Sequence, residues 1–425
     1  MRTLITFAAL FLSIALMQLS SGAISPLDAL VGLQNGFTTT EVGLLGSSHF
    51  LGFFGGCWLA PRLIATVGHT RTFAAFAACG AIGAAGHPII IDPIAWALLR
   101  VLTGFCVAGC YTIVEAWLHA RVTNENRGQV VGVYRSVDLG ASLGAQLLIS
   151  VLAPAQYVAY NVLTILCCIC ILPMLVTRAQ PPEISEIPGL DPIKTFKVSP
   201  LGAFGVVVAG VTAASFRMVG PVYGQQSGLA VTEIAWFLAA FVLGGAISQI
   251  PIGWLADRYD RRWVLIVISI LSVFACIGMV GYGNNSQTST YVAAFIFGFV
   301  TFPIYSLSAA HANDFAKPGE SVQLSASLLF IYGIGAIASP LFSSWLMDTG
   351  GPSMLFVMIG CAHVSLAVFG GYRMFAGPTT EANVLIVICL VPVLYWRVCC
   401  GEAKSKYLFV ARRLKTAVVS SLACA

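Results

Sequence analysis

The chain has 425 residues, of which 58% are hydrophobic and only 9% charged, with 42 glycines and a net charge of +5. Soluble domains carry about a quarter charged residues, so water is not the main solvent here. The mean hydropathy of +0.88 excludes an ordinary soluble enzyme or a nucleic-acid-binding module.

A helix that crosses hydrocarbon takes roughly 20 apolar residues, because lipid offers the backbone no hydrogen-bond partner. Runs of this kind predict twelve spans, near 4–33, 43–61, 72–91, 94–118, 128–152, 157–177, 199–223, 232–254, 263–283, 290–311, 323–347 and 354–372. The first also has features of a signal peptide, since Arg2 precedes an apolar run and Ser21-Gly22-Ala23 resembles a cleavage site. The apolar sequence continues to Leu33, which favours a span.

Of the 22 Lys and Arg, only Arg100, Arg135 and Arg217 fall inside spans; the rest lie at the N-terminus, in the loops after even-numbered spans, or in the tail. The opposite loops carry acids such as Glu41, Asp92 and Asp348. By the positive-inside rule both termini are cytoplasmic and the chain is a multi-pass protein of the inner (plasma) membrane. The net charge therefore reports topology, with no nucleic acid as partner. Thirteen cysteines are scattered without metal-ligand spacing and read as small apolar packing residues.

A charge at membrane depth costs at least ~2.5 kcal/mol, so each one faces a cavity or a partner. In the fourth span Arg100 reads as cavity-facing, with a structural ion pair in the outer leaflet as the alternative. Glu115 lies near the end of that span and Arg127-Gly128 opens the fifth, twelve residues later. So close to the membrane surface, Glu115 can be solvated by headgroups. The fifth span carries Arg135 and Asp138, spaced to share one helix face and partly neutralise each other. Roughly 10 to 15 Å from Gly128, they lie near the midplane. Arg217 in the seventh span precedes Gly220-Pro221, a candidate kink. Arg100, Arg135, Asp138 and Arg217 are thus the candidate substrate or proton-coupling residues. The three arginines suggest an anionic or carboxylate-bearing small-molecule substrate, a balance that Asp28, Glu115 and Asp138 oppose. His49, His87, His311, His363, Tyr223 and Tyr305 read as helix-packing hydrogen bonds, and Gly140, Gly144, Gly333 and Gly335 as sites of close helix contact.

The chain repeats itself. Thr40-Glu41-Val42-Gly43 opens the second span and Thr232-Glu233-Ile234-Ala235 the eighth, 192 positions later. Pro61 meets Gly253 at the same offset, whereas Pro26 meets Pro221 and the segment from Gly140 meets that from Gly335 at 195. An even number of spans per half makes the halves parallel. Residues 1–177 and 199–376 form the two six-helix halves. The hydrophilic, proline-rich stretch 178–198 reads as an extended cytoplasmic linker.

Gly253-Trp-Leu255-Ala-Asp257-Arg258-Tyr-Asp260-Arg261-Arg262 closely resembles the loop signature of the major facilitator superfamily, with Asp260 where the family has glycine. Gly253 reads as a site of helix approach, Asp257 as an acceptor, and Arg258, Arg261 and Arg262 as cytoplasmic anchors. In the first-half copy Pro61 takes the glycine position and Ala65 the aspartate position. Leu99-Arg100 followed by Gly104 resembles the fourth-helix signature of the same superfamily. Gly46-Ser47-Ser48-His49-Phe50, Val114-Glu115, Asn126-Arg127-Gly128, Leu143 to Leu148 and Pro251-Ile252-Gly253 resemble its YcaD-type branch. The resemblance spans nearly all of residues 1–376. It implies an all-α membrane protein of twelve helices in two parallel halves and transport by alternating access around a midplane site. It also implies gating roles for Glu115, Arg127, Asp257, Arg258 and Arg261, the first two paired as an inner-gate salt bridge.

The tail 377–425 has no counterpart in the repeat. Asn383 to Trp396 is apolar but too short to span comfortably, and a cluster of Lys and Arg follows. It reads as an interfacial basic segment or a terminus altered by a frame change, and the missing counterpart favours the second. The expected function is secondary active transport of a small solute, proton-coupled, by a monomer. A transporter-derived sensor would keep the fold and lose coupling. No convergent nucleophile, base or metal group suggests an enzyme, no cofactor is called for, and no phosphate-binding G-x-x-x-x-G-K-[ST] loop suggests ATP drive.

Overall fold

The computed structural model describes residues 2–121, 127–152, 157–176, 190–282, 286–316 and 320–375. The tail expected as an interfacial basic segment or a frame-altered terminus, 377–425, lies outside these residues. Among the described residues every element is a helix: α1 (Arg2–Gln34), α2 (Thr39–Val67), α3 (His69–Gly86), α4 (Pro93–Arg121), α5 (Arg127–Val151), α6 (Tyr157–Ile169), α7 (Ile171–Val176), α8 (Pro192–Val198), α9 (Pro200–Gln226), α10 (Val231–Arg258), α11 (Arg261–Tyr282), α12 (Gln287–Thr301), α13 (Pro303–Asn313), α14 (Ser321–Gly350) and α15 (Met354–Phe375). Among the described residues, ten stretches are long and apolar enough to cross a membrane. α3, which opens on His69 and Arg71, and α5, which carries Arg135 and Asp138, are not among them.

Local chemistry explains most boundaries. The Thr38 hydroxyl accepts from the Glu41 amide while Glu41 reaches back to the Thr38 amide, a reciprocal cap that starts α2. Gly68, at a φ of 85°, turns the chain between α2 and α3, where a side chain would be strained. Proline at 173 and 303 divides two predicted spans into α6/α7 and α12/α13. Pro221, the candidate kink, lies inside α9, which runs through it as one helix. Part of the expected extended linker is helical, because the Asp191 side chain caps α8 by accepting from the Lys194 amide and Pro192 suits the first turn.

Glycine sets how closely the helices pack. α2 and α4 run parallel, with a Cβ on Gly52 falling 1.9 Å from Val101 O and one on Gly104 falling 1.9 Å from His49 O. α10 and α12 repeat the arrangement: Gly244 lies against Phe295 O (2.1 Å) and Gly298 against Phe241 O (2.0 Å). These residues are related by offsets of 192 and 194. Of the glycines expected at close contacts, Gly335 sits against Val207 O at 2.5 Å, whereas Gly140 and Gly253 have nothing within 4 Å of a Cβ. Those two lie on faces that no neighbouring helix approaches.

Gly104→Ala and Gly298→Ala should each force two backbones apart and destabilise the protein by at least the ~1–3 kcal/mol of an overpacked core. Gly132→Ala and Gly278→Ala, with open space at the Cβ, should leave thermal unfolding of the purified protein unchanged or raise its midpoint, since alanine favours a helix by up to about 1 kcal/mol.

Candidate functional site

Two charged clusters occupy the helices, and burial separates them. In the first, Asp28 of α1 is fully enclosed. Its Oδ2 lies 3.2 Å from His87 Nε2 and 3.6 Å from Arg100 Nε, and its Oδ1 accepts from the Tyr160 hydroxyl at 2.8 Å. Arg100, 1% exposed, also donates to Ser25 Oγ at 2.5 Å. The His87 ring stacks on Tyr160 with 5.4 Å between centroids, and its Nδ1 bonds the Gly83 carbonyl at 2.7 Å. Arg100 therefore ties α4 to α1 and is enclosed by protein. Removing one partner of such a buried pair typically costs 3–5 kcal/mol.

The second cluster is open. Arg135 of α5 lies 3.5 Å from Glu115 of α4, with side chains 59% and 38% exposed, and the Tyr134 hydroxyl donates to Glu115 at 3.2 Å. Asp138 is not paired with Arg135 as the shared face predicts; it bonds the Tyr111 hydroxyl, which also lies 2.7 Å from Gln18 Oε1 on α1. Arg135 instead reaches from α5 to Glu115 on α4. Arg127, the expected partner of Glu115, has a side chain outside the described residues. From the other set of helices Arg217 of α9, exposed, stands within electrostatic reach of Tyr111, Asp138, His49 and Arg100. Tyr305 of α13 is within reach of Glu115 and Arg135, and Tyr332 of α14 of Arg217. Groups from α1, α4, α5, α9, α13 and α14 are thus linked by hydrogen bonds or lie within electrostatic reach of one another around the exposed Arg135 and Arg217. An exposed pair like Arg135–Glu115 is worth about 0–1 kcal/mol, so a bound solute can displace it.

The sequence reading missed Gln18, Tyr111, Tyr134 and Tyr332. Tyr111 precedes Glu115 by one helical turn, a spacing that places both on one face. Gln18 is a polar residue at membrane depth, the same signal that singled out the charges.

At the end of the bundle that carries the basic loops, Arg261 bridges three groups: Asp257 at 3.2 Å, Asp314 and the Ala310 carbonyl at 3.3 Å. It joins α10 to α13 through the start of α11. Arg258 lies over the Trp254 ring at 5.3 Å, as Arg62 does over Trp58 at 3.8 Å. Asp260, standing where the signature has glycine, accepts from the Arg262 amide at 2.9 Å and from its guanidinium at 2.8 Å. Arg262 holds the Asp260 carboxyl below the usual carboxylate range, so its contribution is present above the unfolded carboxylate pKa and lost as pH falls through the lowered one.

At the opposite end, hydrogen bonds join the two sets of helices. The Thr40 amide donates to Asp348 of α14 at 3.0 Å and the Thr40 hydroxyl donates to the same oxygen. Gln226 donates to Thr39 at 3.1 Å, and the Leu341 amide to Ser47 Oγ at 3.2 Å. Gly43 and Gly46 let α2 and α14 touch, with Pro340 O 2.7 Å and Pro340 Cβ 2.8 Å from their respective Cβ positions. Asp348 caps the N-terminus of α2 from across the interface. The nine described cysteines are all free thiols, and no group of metal ligands occurs among the described residues.

The profile of the Major Facilitator Superfamily matches residues 10–229 and again 202–387. The chain belongs to the major facilitator superfamily. An MFS-type transporter of Enterobacter sp. (strain 638) is 30% identical over 342 residues, which are 79% of this chain and 88% of that relative. The MFS-type transporter YcaD of Shigella flexneri serotype 5b (strain 8401) is 29% identical over the same shares. The nucleoside transporter NupG has the same fold, with a TM-score of 0.72 at 14% identity over 86% of this chain and 97% of its own. Within this superfamily framework Arg258 and Arg261 belong to the recognised loop signature, and Asp260 replaces its glycine with a side chain that caps the next helix.

Asp28→Asn should leave Arg100 buried without a carboxylate and cost about 3–5 kcal/mol, and pairing it with Arg100→Met should recover most of that loss. Glu115→Gln, at the exposed pair, should cost under about 1 kcal/mol. Unfolding of the purified variants in detergent measures all three.

Proposed function

We propose that this superfamily member is a secondary transporter that moves a small anionic solute by alternating access, driven by protons, in the inner membrane with both termini cytoplasmic. The observation that carries this reading is Arg217. It reaches the opening from the C-terminal helices, opposite Tyr111, Asp138 and the Glu115–Arg135 pair of the N-terminal helices. A solute held between them touches both halves, which is what rocking of one half against the other requires.

Twelve membrane-spanning helices in two parallel halves, 1–177 and 199–376 with a linker at 178–198, account for the recurrence of the glycine pairs at offsets of 192 and 194. α3 and α5 complete the twelve, and α5 is poor in apolar residues because one face lines the opening. The protein works as a monomer, since each chain supplies both halves.

The hydrogen bonds at Thr39, Thr40 and Ser47 close the end opposite the basic loops. With basic loops in the cytoplasm, this is an inward-facing state. Asp348, Thr40 and Gln226 form the gate that must part for the solute to reach the other side. Arg261, with Asp257 and Asp314, holds the C-terminal helices together as a rigid body at the cytoplasmic end, and Arg258 anchors its loop beside Trp254. Arg100 acts through the position of α1 and α4 rather than by touching solute.

The test is uptake by proteoliposomes offered a mixture of small carboxylates and phosphate esters under an inward proton gradient, with the contents read by mass spectrometry. One or more anions should accumulate, accumulation should collapse with a protonophore, and Arg217→Gln should abolish it. Asp348→Asn should weaken closure and change the rate while leaving substrate selectivity intact. A protein that binds an anion from the mixture and never carries it across the bilayer would be a receptor, and the transport reading would fall.

A further inference from the structure

The Tyr111 hydroxyl lies 2.7 Å from Gln18 Oε1 and within hydrogen-bonding distance of Asp138 Oδ1. A hydroxyl has one proton to donate, whereas a carboxylate and an amide oxygen both only accept. If Tyr111 donates to Gln18, Asp138 must supply a proton of its own. If Asp138 is ionised, Tyr111 donates to it and Gln18 must turn its amide so that Nε2 donates to the phenol oxygen. The three groups therefore have two fully satisfied arrangements that differ by one proton on Asp138. The arrangement with the Gln18 oxygen toward Tyr111 is the protonated one.

We propose that Asp138 is a proton-binding site of the central opening, and that Tyr111 and Gln18 reverse their hydrogen bonds each time the proton binds or leaves. The step is balanced: a proton from water joins Asp138 Oδ1, the Tyr111 O–H rotates from Asp138 to Gln18, and the Gln18 amide turns from donor to acceptor. Gln18 is 5% exposed, so the phenol is the main partner within reach of its amide. An amide caught facing the wrong way would leave a polar atom without its partner, which couples its orientation to the proton.

The charges around Asp138 set what the proton does. On α5 itself stand Tyr134 and Arg135; α4 brings Tyr111 and Glu115, and α9 brings Arg217. α1 carries only Arg2 and Asp28 as charged residues, and Asp28 is committed to Arg100. α10, which also packs on α5, has charged residues only in its end turns, at Glu233, Asp257 and Arg258. Arg217 is thus the cation that faces Asp138 from the other half. An ionised Asp138 opposes its charge, and a protonated one leaves Arg217 for an anion. Proton and anion then bind together, which makes the transport symport. This last consequence rests on the transport reading; the relay itself does not.

The test is a pH-difference infrared spectrum of the full chain reconstituted in lipid, taken between mildly alkaline and mildly acidic buffer. Acidification should raise a protonated-carboxyl C=O band and, with it, a glutamine amide band. Asp138→Asn should abolish both. Gln18→Leu should abolish the amide band and keep a carboxyl band at shifted frequency, and Tyr111→Phe should uncouple the two. Should Asp138→Asn not fold, Gln18→Leu and carboxyl-labelled aspartate in the unaltered protein carry the same assignment. A carboxyl band that survives Asp138→Asn, or an amide band indifferent to it, overturns the relay. The expected spectra in a protein that carries no solute would overturn the transport reading alone.

Discussion

A charged side chain stays inside a membrane protein only if a partner or water meets it, and that cost sorts every charge in these helices. Arg100 meets it by enclosure with Asp28, Ser25 and the neighbouring His87 and Tyr160. Arg135 meets it by exposure and a loose contact with Glu115. Arg217 is exposed and stands within electrostatic reach of Asp138 from the other set of helices. The first arrangement is too costly to break in a working cycle, and the second is cheap enough to be exchanged for a ligand.

The same constraint shapes the scaffold. With no water to satisfy it, the backbone forms helices throughout the membrane-crossing chain, and the helices meet through glycine rather than through a hydrophobic driving force. Gly52 and Gly104 bring α2 against α4, and Gly244 and Gly298 bring α10 against α12 at equivalent positions. These rigid pairs hold the elements that carry the opening: α4 supplies Tyr111 and Glu115, and α13, which continues α12, supplies Tyr305.

The interface between the two sets of helices is uneven. At the end away from the basic loops it is joined by a carboxylate cap on α2 and by hydrogen bonds from Gln226 and Leu341. Toward the middle it is apolar, with the Phe54 and Phe330 rings 4.4 Å apart. The polar contacts at that end are of moderate strength, since exposed hydrogen bonds can be exchanged for water.

Run length, charge placement and repetition are local properties, and from them the sequence by itself determined the helical membrane class, the order of the spans and the loop signature around Asp257. It also showed which charges lie at membrane depth, because polarity there is visible without knowing a partner. Which charge meets which was decided only by the tertiary structure. Arg135 and Asp138 share a helix face, yet each takes its partner from another helix, and Arg100 looks as available as Arg217 until α1 and α6 close around it. Glycine contacts divided the same way: Gly335 is pressed against a backbone while Gly140 and Gly253 face open space. Spacing along one helix reports a face, and only the packing of the other helices decides what that face meets.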